Sequence, residues 1–488
     1  MSAQHYDVLI LGAGISGIGA AYHLLDQRPG TTFNVLEALP SYGGTWWTHR
    51  YPGVRSDSDL FTLGYRFKAW RGDPIATADQ ILTYLGEVIE ENGLDQYIRY
   101  RHRVDSASWS SEEGRWTVAA TNLETNETVT FTAGFLWMCH GYYRHGQGYK
   151  PQWEGLEDFQ GEILHPQEWP ENVDLHGKKV VVIGSGATAA TLIPAIADDA
   201  AHVTMLQRSP TYFMARQNRN DLAETLRELD VPAEWTHEIV RRQIFKMHEQ
   251  LRLASSNDPE QIKKMMIDGV RELLPEGFDV EKHFSPSYRV WQQRLAILPG
   301  GDLFAKIKEG KVSVVTDTIG RFTENGIKVG SGEHLEADVV ITATGFDLSV
   351  FGDVDLVVDD REIDPADLVT YRGIMFTELP NLAYIFGYFR ASWTLRADII
   401  SDFVCRLLAH MEASGARKVV PVLREEEREM ELKPWVEPEN FNPGYLTRSL
   451  HLMPKQGDRD PWRWGDEYPI EKELLAAADI EDGSLLFS

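Results

Sequence analysis

Two glycine clusters hold the residues of this 488-residue chain best suited to chemistry. Gly12-Ala13-Gly14-Ile15-Ser16-Gly17 lies near the N-terminus, and Gly184-Ser185-Gly186-Ala187-Thr188-Ala189 lies further along. Glycines at this spacing leave backbone N–H groups bare, and bare N–H groups at a helix start bind the pyrophosphate of a dinucleotide. The two clusters differ in the charged residue downstream of them. Glu37 comes about twenty residues past Gly17, where an acid binds ribose hydroxyls. Where the first unit carries Glu37 the second carries Arg208, and an arginine there suits a ribose 2′-phosphate. The first site therefore takes an unphosphorylated ribose, FAD or NAD, between which spacing does not choose. The second reads as an NADPH site. Two nucleotide sites of different preference point to a flavin reduced by a nicotinamide, which leaves FAD to the first by elimination.

Each cluster needs a strand before it and a helix after it. Tyr6 to Leu11 reads as a buried parallel strand, Ile18 to Gln27 as a helix, and Thr32 to Leu36 as a strand ending at Glu37. Lys178 to Ile183 and His202 to Leu206 supply the same frame for the second cluster, whose third position, Ala189, is an accepted variant. Gly43-Gly44-Thr45-Trp46 suits backbone lying against a flat ring system, with Trp46 or Trp47 packed nearby. Asn218 to Asp279 carries Leu222, Leu226, Leu229, Ile239, Val240 and Ile244 at helical spacing. It reads either as a cover over a substrate site or as a solvated helical excursion. Asn325-Gly326 signals a hairpin. Ile341 to Phe346 reads as a strand ending in a close backbone approach and marks the return to the first domain, and Trp393 to Met411 reads as a helix with Ser392 as N-cap. The expected fold is α/β: two Rossmann-like dinucleotide-binding domains, for FAD and NADPH, with a helical insertion in the NADPH domain. The boundaries read as 1–143 and 343–488 for the FAD domain, 144–217 and 290–342 for the NADPH domain and its linker, and 218–289 for the insertion.

The formal charge of -26 argues against nucleic acid, which needs a basic footprint. Cys139 and Cys405 form no Cys-x-x-Cys, so neither a metal ribbon nor a dithiol pair is encoded, and no metal is expected. No basic n-region precedes an apolar run at the N-terminus, and no run approaches the ~18 apolar residues of a spanning helix. A reducing, cytoplasmic setting is the expectation. Peripheral membrane contact and oligomeric state are not legible.

Between the clusters lies Phe159-x-Gly161-x-x-x-His165-x-x-x-Trp169-Pro170. Set between two such fingerprints, this pattern resembles the signature of Baeyer–Villiger monooxygenases, a group of class B flavoprotein monooxygenases. Arg50-Tyr51-Pro52-Gly53, Ala343-Thr344-Gly345-Phe346 and Pro454-Lys455-Gln456-Gly457 look most like the ethionamide-activating subgroup. The resemblance spans essentially the whole chain. It implies an NADPH-consuming FAD enzyme that inserts one oxygen atom of O2 next to a ketone carbonyl, with thioethers as a side activity. The related flavin-containing monooxygenases, which oxidise N or S, are the alternative. By resemblance, Gly12, Gly14, Ser16, Gly17, Glu37, Gly44, Thr45, Trp46 and Val104 line FAD, and Gly184, Ser185, Gly186, Ala187, Thr188, Arg208 and Ser209 line NADPH. Arg55 and Ser56 approach the nicotinamide end, Arg294 is the active-site arginine, and Asp57 positions it. His165 helps the interdomain linker fold back. Gln293 stands where many relatives carry a lysine that grips the 2′-phosphate, which implies looser selectivity between NADPH and NADH.

Overall fold

Val8-Leu9-Ile10-Leu11 is almost wholly buried, as a central parallel strand flanked by helices must be. In the computed structural model, which describes residues 3–465 and 467–488, strand Gln4–Leu11 runs parallel to Phe33–Leu36 on one side and Glu127–Met138 on the other. A nine-stranded sheet grows from this centre. Its order from edge to edge is Arg361–Glu362, Asp355–Val358, His102–Ser110, Arg115–Asn122, Glu127–Met138, Gln4–Leu11, Phe33–Leu36, Ile98–Arg99, with Leu382–Tyr384 also beside Glu127–Met138. The chain thus returns to its first sheet after residue 343.

The second sheet has five strands, all parallel: Val312–Thr316, His202–Gln207, Lys179–Ile183, Val339–Thr342 and Glu162–Leu164. Its edge strand is part of the Phe159–Pro170 stretch. Phe159 packs on Phe322, and a Cβ at Gly161 would overlap the Asp338 carbonyl, so only glycine lets this strand come in. His165 caps the turn Pro166–Glu168, its Nδ1 accepting the Gln167 N–H at 3.2 Å, and its ring fills the space that Gly148 leaves. Gln167 Nε2 then donates to the carbonyls of Arg144 at 2.6 Å and His145 at 2.9 Å. The stretch is an edge strand and a tied-down turn that carry the chain from one sheet to the other.

Helices Asp221–Glu228, Ala233–Asn257 and Pro259–Leu273 form the insertion. Of the apolar residues expected on their buried face, Val240 and Ile244 are buried, whereas Leu229 ends a helix at 68% exposure and Ile239 faces outward at 38%. Ala223, Val240 and Ile244 join the core of the first sheet, while Ile262, Met266, Ile267 and Val270 join that of the second. The insertion therefore bridges both units.

One local expectation is corrected. Ser392 sits at the N-cap of Trp393–Ser414 but caps nothing with its side chain, because its hydroxyl meets Thr62 Oγ1 at 2.7 Å. The Ile341 to Phe346 stretch does end in a close backbone approach, for a Cβ on Gly184 would overlap the Ala343 carbonyl. The Asn325-Gly326 hairpin turn joins Ile319–Thr323 to Gly326–Val329, with Thr323 opposite Gly326. No helix among the described residues is long and apolar enough to cross a membrane.

Candidate active site

Both glycine clusters fold to the same backbone. Gly14 and Gly186 are helix N-caps with φ -76° and ψ -173° in each case, opening helices Ile15–Gln27 and Ala187–Ile196. Gly12 and Gly184 have φ of 105° and 125°, a region that L side chains avoid. The Gly12 N–H donates to Leu36 O and the Gly184 N–H to Leu206 O, both at 2.8 Å. A Cβ on Gly14 would meet only Gly44, at 3.8 Å, and one on Gly186 would meet nothing within 4 Å. The two N-caps are thus open on the side from which a pyrophosphate arrives.

The matching bonds to Leu36 and Leu206 set the equivalences, and they correct one expectation. The residue equivalent to Glu37 is Gln207, and Arg208 stands one position later. Gln207 is spent inside the sheet, its Nε2 donating to His283 O at 2.7 Å and Thr316 Oγ1 at 2.9 Å. Arg208 is exposed and has no hydrogen-bond or ion partner among the described residues. Glu37 is buried and accepts the N–H groups of Ala13 at 2.6 Å and Leu39 at 2.7 Å. Burial pushes its carboxyl upward, against the pull of those two donors.

A cavity of ≈ 1620 Å³ joins the two loops, larger than the usual single-ligand pocket and sized for two long ligands. Gly44, Thr45, Trp46 and Val104 line it near the first loop, and Ser185, Ala187, Thr188 and Ser209 near the second. Gly17, by contrast, works inside the fold, since a Cβ there would overlap the Gly12 carbonyl. Ser16 accepts the Trp393 indole N–H at 2.7 Å, which ties the first loop to helix Trp393–Ser414. No residue of the helical stretch 218–279 lines the cavity, so its helices do not cover it, although Tyr288 at the end of the insertion does line it, as do the C-terminal Pro443, Gly444, Tyr445, Thr447 and Arg448.

Arg294 and Asp57 meet between the loops, Nη1 to Oδ2 at 3.2 Å. A third of the Arg294 side chain is exposed, and it lines the cavity. Burial works against its charge, but Asp57, then Tyr142, Tyr445 and Tyr143, outweigh that and hold its pKa well above the usual value. Burial also pushes the Tyr142 and Tyr143 hydroxyls far up. Both stay neutral at working pH, so Asp57 is the ionic partner. Tyr142 stacks on Trp393 at 5.3 Å, Tyr143 lies 4.3 Å from Phe346, and their hydroxyls are 2.6 Å apart. Burial first, and neighbouring histidines second, lower His140 and His145 to about 4, so this wall carries no charge there.

Arg55 lines the cavity, but its Nη1 is committed to Asp302 at 2.7 Å, while Nε and Nη2 are buried without a partner. Ser56 also lines the cavity, yet its hydroxyl donates to Ser58 O at 2.8 Å and accepts the Ser58 N–H at 2.9 Å. Its N–H is likewise spent, on Ala76 O at 2.9 Å. Gln293 donates to Asn442 Oδ1 at 3.3 Å. The sequence reading passed over Tyr142, Tyr143 and Tyr445. The first two come just after the carboxyl end of strand Glu127–Met138, where open α/β sheets build their sites, and that was the available signal. Tyr445 lies in a tail without period and gave none.

A family model described as flavin-binding monooxygenase-like matches residues 74–379, and a model of NAD(P)-binding Rossmann-like domains matches 10–73. The FAD-containing monooxygenase EthA of Mycobacterium tuberculosis is 46% identical over 99% of this chain and 98% of its own. EthA of Mycolicibacterium smegmatis is 44% identical over 99% and 97%. Among solved structures, an oxidized steroid monooxygenase bound to NADP superposes with a TM-score of 0.78 at 23% identity, covering 99% of both chains. An open cyclohexanone monooxygenase superposes with a TM-score of 0.76 at 20% identity over 100% of both.

Proposed function

This chain belongs to the flavin-binding monooxygenase-like family, and from that premise we propose that it inserts one oxygen atom of O2 next to a ketone carbonyl. The product is an ester or lactone, and thioethers are a second substrate class. The enzyme is an NADPH-dependent, FAD-containing monooxygenase. The observation that carries the Baeyer–Villiger reading is the Arg294–Asp57 pair in the cavity between two dinucleotide loops.

The open N-caps at Gly14 and Gly186 fit two pyrophosphates, and Glu37 and Arg208 fit the ribose groups of FAD and NADPH. Reduced by NADPH, bound FAD supplies oxygen activation. The protein's part is then electrostatic. Oxygen transfer to a carbonyl develops negative charge on oxygen, and a preorganised cation stabilises it without reorganising. The Arg294 guanidinium stays charged at any working pH, and Asp57 holds it. The unpartnered Nε and Nη2 of Arg55 leave donors for the nicotinamide side. Tyr142, Tyr143 and Trp393 form a neutral aromatic wall of the cavity, and a low-dielectric wall strengthens the field of the cation beside it. NADPH, air and a panel of ketones and thioethers test the proposal by product. Esters or lactones support it; sulfoxides or N-oxides without any ester would move the enzyme to the N- and S-oxidising group.

A further inference from the structure

Every second residue from 55 to 59 crosses from the first unit to the second and finds an ion. Arg55 meets Asp302 at 2.7 Å, Asp57 meets Arg294 at 3.2 Å, and Asp59 meets Arg216 at 3.5 Å. The intervening serines do the opposite: Ser56 and Ser58 bond to each other and lock the bend that gives the ions their period. Leu60, Phe61 and Leu63 anchor the end of this segment in the first core, whereas Phe213, Leu295, Leu298 and Leu303, beside the three partners, belong to the second.

Close packing brings the units to within reach of these pairs. A Cβ on Gly53 would overlap the Thr191 carbonyl of helix Ala187–Ile196, and φ there is 79°. Asn218 exchanges two hydrogen bonds with the Ile75 backbone, at 2.8 and 2.9 Å. Arg241 of the insertion donates to the carbonyls of Phe61, Thr62 and Gly64. The Asp57–Arg294 pair is thus the middle rung of three.

We infer that Arg55–Asp302 and Asp59–Arg216 are positioning pairs that flank Asp57–Arg294 and fix how the two dinucleotide loops face each other at the reaction site. Asp59 and Arg216 touch no reacting atom in this arrangement; they act through Arg294. A buried or partly buried ion pair is weak evidence for stability, since desolvation offsets its attraction, but three in register across one seam suppress sliding and rotation of one unit on the other. The inference rests on the monooxygenase reading only for its catalytic consequence, since the seam itself is geometry.

The experiment uses the FAD-loaded enzyme with Arg216→Met and Arg216→Lys, compared by hydrogen exchange and by product formed per NADPH. Arg216 is partly exposed at the end of strand Phe213–Arg216, so its replacement leaves the Asp59 cap on Phe61 intact. For Arg216→Met, exchange in 55–62 and 213–218 should quicken about tenfold, the equivalent of one lost charge-assisted contact. NADPH oxidation should persist while product per NADPH falls about threefold, the balance appearing as hydrogen peroxide. Arg216→Lys should recover most of both. Unchanged exchange would show that the pair does not hold the seam. Faster exchange with unchanged product per NADPH would show that it serves stability alone. Either result overturns the inference. A wild-type enzyme that makes no oxygenated product would instead fail the monooxygenase reading, while the exchange result still judges the seam.

Discussion

The two glycine loops share one backbone and diverge at the end of their second strand, at the residue after the carbonyl that each loop's first glycine bonds. In the first unit that residue is Glu37, buried and turned onto its own glycine loop; in the second it is Gln207, turned away into the sheet. The second loop therefore has no acid facing its ligand, and the next residue, Arg208, stands free in solvent beside it. The same fold element becomes two sites through the side chains at one turn. What neither loop supplies is a charge at the place where their ligands would meet. That comes from the seam, where Asp57 of one unit holds Arg294 of the other. On the proposed function, binding belongs to each loop and reaction to their contact.

The largest effect should come from removing that contact. Arg294→Ala leaves both loops as they are, so FAD content and NADPH binding should stay near wild type. Oxygenation should fall by about 10²–10³, the usual cost of one preorganised electrostatic donor, and the Asp57 carboxylate left without its cation adds to the loss. NADPH that is still oxidised should appear as hydrogen peroxide. Arg294→Lys keeps the charge without the planar fork and should rescue poorly. Stopped-flow reduction without oxygen, then aeration and product analysis, separates the two half-reactions. Wild-type ester yield from Arg294→Ala would mean that the seam does not carry the chemistry.

Next in size is the difference between the loops themselves. If Arg208 reads the 2′-phosphate, Arg208→Ala should raise the KM for NADPH by roughly ten- to a hundredfold, the worth of a charge-assisted contact, and leave that for NADH nearly unchanged. Equal losses with both nucleotides would leave the second loop with no phosphate reader at Arg208.

A smaller effect separates the third glycine positions. Gly17 lies against the Gly12 carbonyl, while its counterpart Ala189 is accommodated with no exposed surface. Gly17→Ala should therefore cost about 1–3 kcal/mol through overpacking and loosen FAD, and Ala189→Gly should cost only about 0.5–1 kcal/mol through backbone entropy. Thermal melts and flavin retention after gel filtration would read both. Equal penalties would show that the two helices are packed alike.

Much of this architecture was legible in the sequence, and the reason is range. Short-range patterns carried the βαβ units, because strand, glycine turn and helix are encoded within about thirty residues. The hairpin at Asn325-Gly326 was local in the same way. What was not legible depends on long-range contact. Gln207 and Arg208 could not be told apart as the equivalent of Glu37 without the bond from Gly184 N–H to Leu206 O. Leu222, Leu226 and Leu229 gave a helical period, but the helix ends at Glu228 and leaves Leu229 outside it. Ser392 had the type and position of a cap, and a serine-to-threonine contact across 330 residues took its hydroxyl. The alternation of charge at 55, 57 and 59 was visible as composition, yet its partners lie at 302, 294 and 216, in an order that only the folded chain reveals.

The smallest expected effect asks what the outer rung of the seam is for. Asp59 is pushed up to about 6, mainly by burial; Arg216 and then the Phe61 N–H pull it back only in part. Neighbours of the pair do not supply the missing charge: His248, which feels Arg216, is held below its usual value by burial and then by that arginine, and Arg241 is committed to the carbonyls of Phe61, Thr62 and Gly64. A carboxyl whose folded value lies above its unfolded one gives stability that is complete below the unfolded value and is lost as pH rises through about 6. Ionising Asp59 therefore costs the fold, although it creates the ion pair. Asp59→Asn, which can still cap Phe61, removes that dependence. The stability of the wild type relative to Asp59→Asn should rise by about 1 kcal/mol as pH falls from 7 to 5. Product per NADPH should move the other way in the wild type, falling as the carboxyl is neutralised and the clasp on Arg216 released. Asp59→Asn should lack that step. Thermal melts and product ratios on both proteins across this range would decide it. A gap in melting temperature that stays constant would mean Asp59 does not titrate there, and a step in product ratio retained by Asp59→Asn would assign it to another group. A pair that weakens the fold where it forms, yet raises the yield of product, is retained for the geometry it imposes and not for the stability it adds.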